Sequence, residues 1–172
     1  MKKMKLLKLL LIFLIPLSLC AKEEIDGAFG IKLGQESPNS SKLLTVEFTP
    51  VVPLEAFNVY EYTVTPISKQ VHSIRAYLTN DNFSEQSMQQ CYDFMKLLGT
   101  KYPEGSANSE SGIYISVKEY LDSKGNSIKL VCHKVPMTTG PNEIKVISKD
   151  LLELAEEERL KLVFEKFKKS GL

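Results

Sequence analysis

The pairing of Cys91 with Cys132 constrains this chain more than any other feature of its sequence. Of three cysteines, Cys20 falls in the N-terminal segment, which leaves an even pair 41 positions apart. In an oxidising compartment such a pair is read as a disulfide. Closing a loop of that length stabilises a fold by about 4 kcal/mol on chain-entropy grounds. No Cys-x-x-Cys redox motif exists, and the only imidazoles, His72 and His133, match no zinc spacing. No metal and no cofactor are therefore expected.

The bridge also says which elements must touch. From 83 to 101 the apolar residues Met88, Cys91, Tyr92, Met95 and Leu98 recur at steps of three and four, one stripe of an amphipathic helix. Asn82 and Glu85 form a capping-box pattern at its start, and Gly99 and Pro103 supply stop signals. Ile113–Asp122 and Ser127–Val135 read as a hairpin around 123–126, with Ile128, Leu130 and Cys132 on one side of the second arm. A helix laid on that apolar face brings the two sulfurs together.

The oxidising compartment follows from residues 1–21. Lysines at 2, 3, 5 and 8 precede an apolar run from Leu9 to Leu19, the pattern of a secretory signal peptide. The run is about half the ~20 residues a spanning helix needs, so no membrane span is expected in the mature chain. Two processing routes stand open. Cleavage after Ala21 gives a periplasmic or secreted product. Leu17-Ser18-Leu19-Cys20 also resembles a bacterial lipobox, which would lipidate Cys20 and tether the chain to a membrane.

Without those 21 residues, 18 basic side chains face 21 acidic ones, a balance of −3. No electrostatic footprint for nucleic acid or for an anionic membrane surface is expected of such a balance. With 43% hydrophobic and 25% charged residues the composition is globular, and residues 22–172 fit a single exported domain.

Further strands are expected at Ala28–Leu33, Leu43–Thr49, Asn58–Thr65, Val71–Thr79 and Glu143–Ile147. The polar stretch 104–111 reads as a loop. A second helix is expected over 150–169, with Asp150 and Glu153 as its capping box and lysines at its end. Its apolar residues form two sets. Leu151, Leu154, Ala155 and Leu162 lie on one side, and Leu160, Val163, Phe164 and Phe167 lie well round the helix. Either the first half docks and the second projects, or the helix bends and buries both faces in turn. The fold class is thus α+β: an antiparallel sheet of about five to seven strands, a helix (83–101) packed on one face, and a C-terminal helix (150–169).

Chemistry is sparse. Gly-x-Ser-x-Gly, Ser-x-x-Lys, phosphate-loop and His-Glu-x-x-His patterns are all missing. Both histidines read as exposed sheet residues. Glu47, Glu61 and Glu119 on strands would serve as an acid–base site only if two of them converged in a pocket. Tyr60, Tyr62, Tyr114 and Tyr120 read as a binding surface or as packing pairs. Val51, Val52, Leu54 and Phe57 read as an exposed apolar patch or as a lid on the sheet. The expectation is no catalytic residue and a non-catalytic domain that binds an unknown protein or small ligand.

One local resemblance points elsewhere. Ser111-Gly112-Ile113-Tyr114, followed on the hairpin by Ser123-Lys124-Gly125, is similar to the paired loops of periplasmic inhibitors of c-type lysozyme. In that family both loops enter the lysozyme cleft, where serine and lysine meet catalytic carboxylates. The resemblance implies inhibitory roles for Ser111, Tyr114 and Lys124 and a cell-wall hydrolase as partner, the alternative to a general binding domain.

Overall fold

The computed structural model describes residues 23–37, 44–79, 82–102, 109–112, 114–134 and 142–170. The expected signal segment, Cys20 and Ile113 lie outside them. Among the described residues nine strands and two helices follow in order: β1 (Gly27–Ala28), β2 (Ile31–Lys32), β3 (Thr45–Glu47), β4 (Val59–Val64), β5 (Val71–Tyr77), α1 (Glu85–Lys101), β6 (Ser109–Ser111), β7 (Ile115–Leu121), β8 (Ser127–His133), β9 (Glu143–Ile147) and α2 (Lys149–Lys169). The class is α+β.

Strands β3 to β9 form one antiparallel sheet of order β3-β4-β5-β9-β8-β7-β6. Two meanders meet where β9 pairs with β5, and α1 carries the chain from the first to the second across one face. Alternation decides which face is covered. Tyr60, Tyr62, Ile74, Ala76, Ile128, Leu130, Cys132, Ile144 and Val146 all point to the α1 side and are buried. From α1, Cys91, Met95 and Leu98 meet them. Cys91 and Cys132 are joined, with Cα atoms 5.8 Å apart. The opposite face mixes charged with apolar side chains, most of them half-buried.

Several local expectations need correction. Ala28–Leu33 is not one strand but the tight β1–β2 hairpin. Phe29 and Gly30 turn it with φ of 54° and 88°, the doubly left-handed geometry of a two-residue hairpin loop. The end of the presumed loop at 104–111 is strand β6, which pairs along β7 through its backbone.

The cap of α1 is Ser84 rather than Asn82. Ser84 Oγ accepts from Ser87 N at 3.1 Å, and Ser87 Oγ accepts from Ser84 N at 2.9 Å. Asn82 instead donates to Thr79 Oγ1. No capping box forms at Asp150. The α2 cap is Ser148, without a side-chain bond, and Asn126 Oδ1 accepts from Lys149 N.

Both histidines are buried, not exposed. The β4–β5 register skips a residue at His72, since Thr63 opposes Ser73 while Val64 opposes Val71. That bulge places His72 in a groove with Leu152, Ala155 and Arg159 of α2. His133 ends β8, where its N–H is held by the buried Asn142 side chain at 2.8 Å.

Candidate functional site

A half-open cavity of about 380 Å³ lies on the α1 side of the sheet. Ile128, Ile144 and Val146 are its floor, and Phe94 and Leu98 of α1 with Tyr102 at the helix end are one wall. The tip of the β1–β2 hairpin and the loop 51–54 close the other side. At that tip Phe29 holds a left-handed backbone that few non-glycine residues adopt. Its ring is fixed edge-on against Tyr60 and Phe57, with centroids 5.1 and 6.3 Å away.

The two glycines of the hairpin have different reasons to be there. A Cβ on Gly27 would sit 2.2 Å from the Ile31 carbonyl oxygen, and one on Gly30 would sit 2.9 Å from a Val51 methyl. The backbone contact excludes a side chain at Gly27, whereas at Gly30 the left-handed φ of 88° is what favours glycine.

The mouth is unusually apolar for a water-facing rim. Val51 is 83% exposed, Val52 67% and Leu97 59%. Of the four residues 51, 52, 54 and 57, Phe57 is buried in the core and Leu54 is half-buried, so this loop is part lid and part exposed patch. Lys101 supplies a cation at the edge, 3.2 Å from Glu23 and over the Tyr102 ring. The Glu23 hydrogen bond holds its ammonium above the usual lysine range. A shallower hollow shares Leu54, Phe94 and Leu97 with the cavity and is bordered by Glu55, Gln90 and Asp93. An apolar interior with a short polar border suits a small amphipathic molecule.

The three strand carboxylates do not form a pocket. Glu47, Glu61, Arg75, Lys145, Lys129 and Glu119 make one row across the face opposite α1, strand by strand. Glu47 and Glu61 are cross-strand neighbours, but Glu119 is four strands beyond Glu61, roughly 19 Å at sheet spacing. Arg75 takes up Glu61 at 3.2 Å and Glu143 at 2.9 Å. Glu61 is thus already bound to a guanidinium, and Glu119 is too far from either acid to share a proton transfer with it.

The two loops of the inhibitor resemblance are not brought together either. Tyr114 precedes β7 and Ser111 ends β6 at one end of β7, while Lys124 lies in the turn after its other end. A seven-residue strand separates them by roughly 20 Å. Lys124 is engaged within the chain, its Nζ 2.7 Å from Glu24. Tyr60, Tyr62 and Tyr120 are core residues, and Tyr114 alone of the four is exposed.

Sequence reasoning missed two buried carboxylates that organise the molecule. Asp122 accepts from the backbone N–H groups of Ile25, Lys124 and Asn126 at 2.8–3.0 Å. Glu158 of α2 accepts from Ile67 N at 2.6 Å and from Ser68 N at 3.2 Å, clasping the β4–β5 turn. Asp-x-Lys-Gly-Asn was a legible turn signal for the first. Nothing in the sequence marked the second.

Among the described residues no His/Cys/Asp/Glu cluster could hold a metal, and no helix is long and apolar enough to cross a membrane. Comparison with models of known families, with curated proteins and with solved structures gives no match.

Proposed function

We propose that this chain is an exported, non-catalytic binding domain of the bacterial envelope whose ligand is a small amphipathic molecule. The apolar part enters the cavity beneath the β1–β2 hairpin, and a polar or anionic group stays at the rim near Lys101. The observation that carries this reading is the pairing of an apolar cavity with exposed valine and leucine at its mouth. Water-facing side chains of that kind lose nothing on contact with ligand and gain burial at about 25 cal/mol per Å². Export is supported by residues 1–21 and by the Cys91–Cys132 bridge, which oxidising compartments maintain.

Titration with an apolar anionic fluorophore such as anilinonaphthalene sulfonate tests the site. Leu97→Asp combined with Val52→Asp puts two acids at the mouth on positions that are already solvated. Affinity is expected to fall about tenfold or more with the melting temperature nearly unchanged. Equal affinity of parent and variant rejects the cavity as the site.

A further inference from the structure

The far end of α2 leaves the body of the protein. Leu151, Leu154 and Ala155 are half-buried and Glu158 is buried, but every residue from Arg159 to Lys169 is exposed. This segment is about 16 Å long at helical rise. At 3.6 residues per turn, Leu160, Val163, Phe164 and Phe167 fall within an arc of roughly 100°, on the opposite side of the helix from Glu158. Phe164 is 66% exposed and Phe167 52%.

The charges around that stripe are sorted. Lys161 and Lys168 border one edge, Arg159 and Lys166 the other, and Lys169 follows. Glu165 is the one acid from 159 to 169, and it lies away from the stripe. Among the described residues none of the four lysines is in an ion pair, whereas Arg159 is held by Glu156. The domain otherwise carries more acids than bases, so this cationic end is set apart from the rest of the chain.

We propose that the distal half of α2 is an interfacial helix that docks on an anionic lipid surface. The four apolar side chains enter the boundary between headgroups and acyl chains, and lysines on both edges extend to the phosphates above them. Two aromatic rings among apolar residues, bordered by cations on each side, complement such a surface in both hydrophobicity and charge. The acids Glu153, Glu156 and Glu157 precede the stripe on the same sector of the helix. Repulsion from anionic lipid keeps that part raised, so the helix approaches by its lysine-rich end. The proposal is independent of the ligand cavity.

The chain has no tryptophan, so Phe164→Trp in the full-length protein gives a single reporter at the proposed contact. With vesicles containing phosphatidylglycerol, its emission is expected to move to shorter wavelength and to be quenched by brominated acyl chains. Replacing Lys161, Lys166 and Lys168 with Gln in the same background should weaken this about tenfold or more, because each cation near an anionic surface strengthens binding several-fold. Added salt should weaken it in the same direction. The local reporter separates α2 from any membrane attachment through residues 1–21. Absence of shift and quenching on phosphatidylglycerol vesicles overturns the proposal and leaves the stripe to a protein partner. A shift without lipid that grows with protein concentration overturns it in favour of a second copy. Equal quenching on phosphatidylcholine vesicles, indifferent to the lysine substitutions, overturns it as well.

Discussion

Asp122 shows how much of this fold depends on single side chains that look ordinary in the sequence. Burial pushes its carboxyl upward, but the bonds from Ile25, Asn126 and Lys124 outweigh that and hold it below the usual carboxylate range. One side chain thereby closes the β7–β8 turn and fastens the N-terminal segment, with Asn126 Nδ2 adding a bond to the Ile25 carbonyl. Asp122→Ala strands three backbone donors, of which the Ile25 group is buried. The expected loss is about 3 kcal/mol, read as a fall in the urea unfolding midpoint. Since the folded pKa is depressed, the contribution is complete above the unfolded value near 4 and disappears as pH falls through the folded one. The difference between parent and variant midpoints should therefore shrink in strongly acidic solution. A difference that persists there would mean the side chain acts by packing rather than as a carboxylate.

At the scale of elements, legibility followed burial pattern. The helix at 83–101 and the strand carrying Cys132 could be read because each has a single apolar face, and those two faces had to meet. Strand β6 could not be read: Ser109-Glu110-Ser111 has no apolar residue, and its place on the sheet edge depends on backbone pairing with β7. The candidate cavity escaped for a related reason. Gly27-Ala28-Phe29-Gly30 resembles any turn, and only the packing of Phe29 on Tyr60 shows that the turn is a wall. For α2 the two apolar sets were visible, and the choice between docking and projecting was not. Glu158 decides it, an acid in a helix of many acids.

The bulge under α2 carries its own prediction. Burial, aided by Lys145, pushes His72 below the usual histidine range, and its Nδ1 has no hydrogen-bond partner among the described residues. The unfolded chain thus binds the proton more readily than the folded one. The stability this brings is full above pH ~6.5 and declines as pH falls through the folded pKa. Arg159 borders the same groove and adds to the cost of a second cation there, while Glu153 and Glu156 oppose it. His72→Gln, neutral throughout, is expected to flatten the fall in urea midpoint between about pH 7 and pH 5. An unchanged slope would place that titration elsewhere.

Across the whole molecule, the bridge does more than hold one helix. The β5–β9 seam joins the two meanders by backbone pairing, and α1, which follows β5 and precedes β6 in the chain, lies on β8. Cys91–Cys132 fixes α1 to β8, in the second meander, while Phe94 packs against Phe57 next to the first. The same helix, with its capping residue Tyr102, supplies the cavity wall through Phe94 and Leu98. Reduction should therefore be felt at two distances. Replacing both cysteines with Ser removes about 4 kcal/mol of constraint on the unfolded chain and leaves two hydroxyls in an apolar layer. The urea midpoint should fall accordingly. Under conditions where the variant is still folded, fluorophore affinity at the cavity should fall too, because the wall is no longer fastened to the floor. Hydrogen exchange separates the two effects: amides of α1 should lose protection before those of β8 and β9, whose ladders do not depend on the bridge. If stability drops while cavity affinity and α1 protection relative to the sheet stay as they were, the disulfide acts on the unfolded chain alone and the cavity is formed by packing without it.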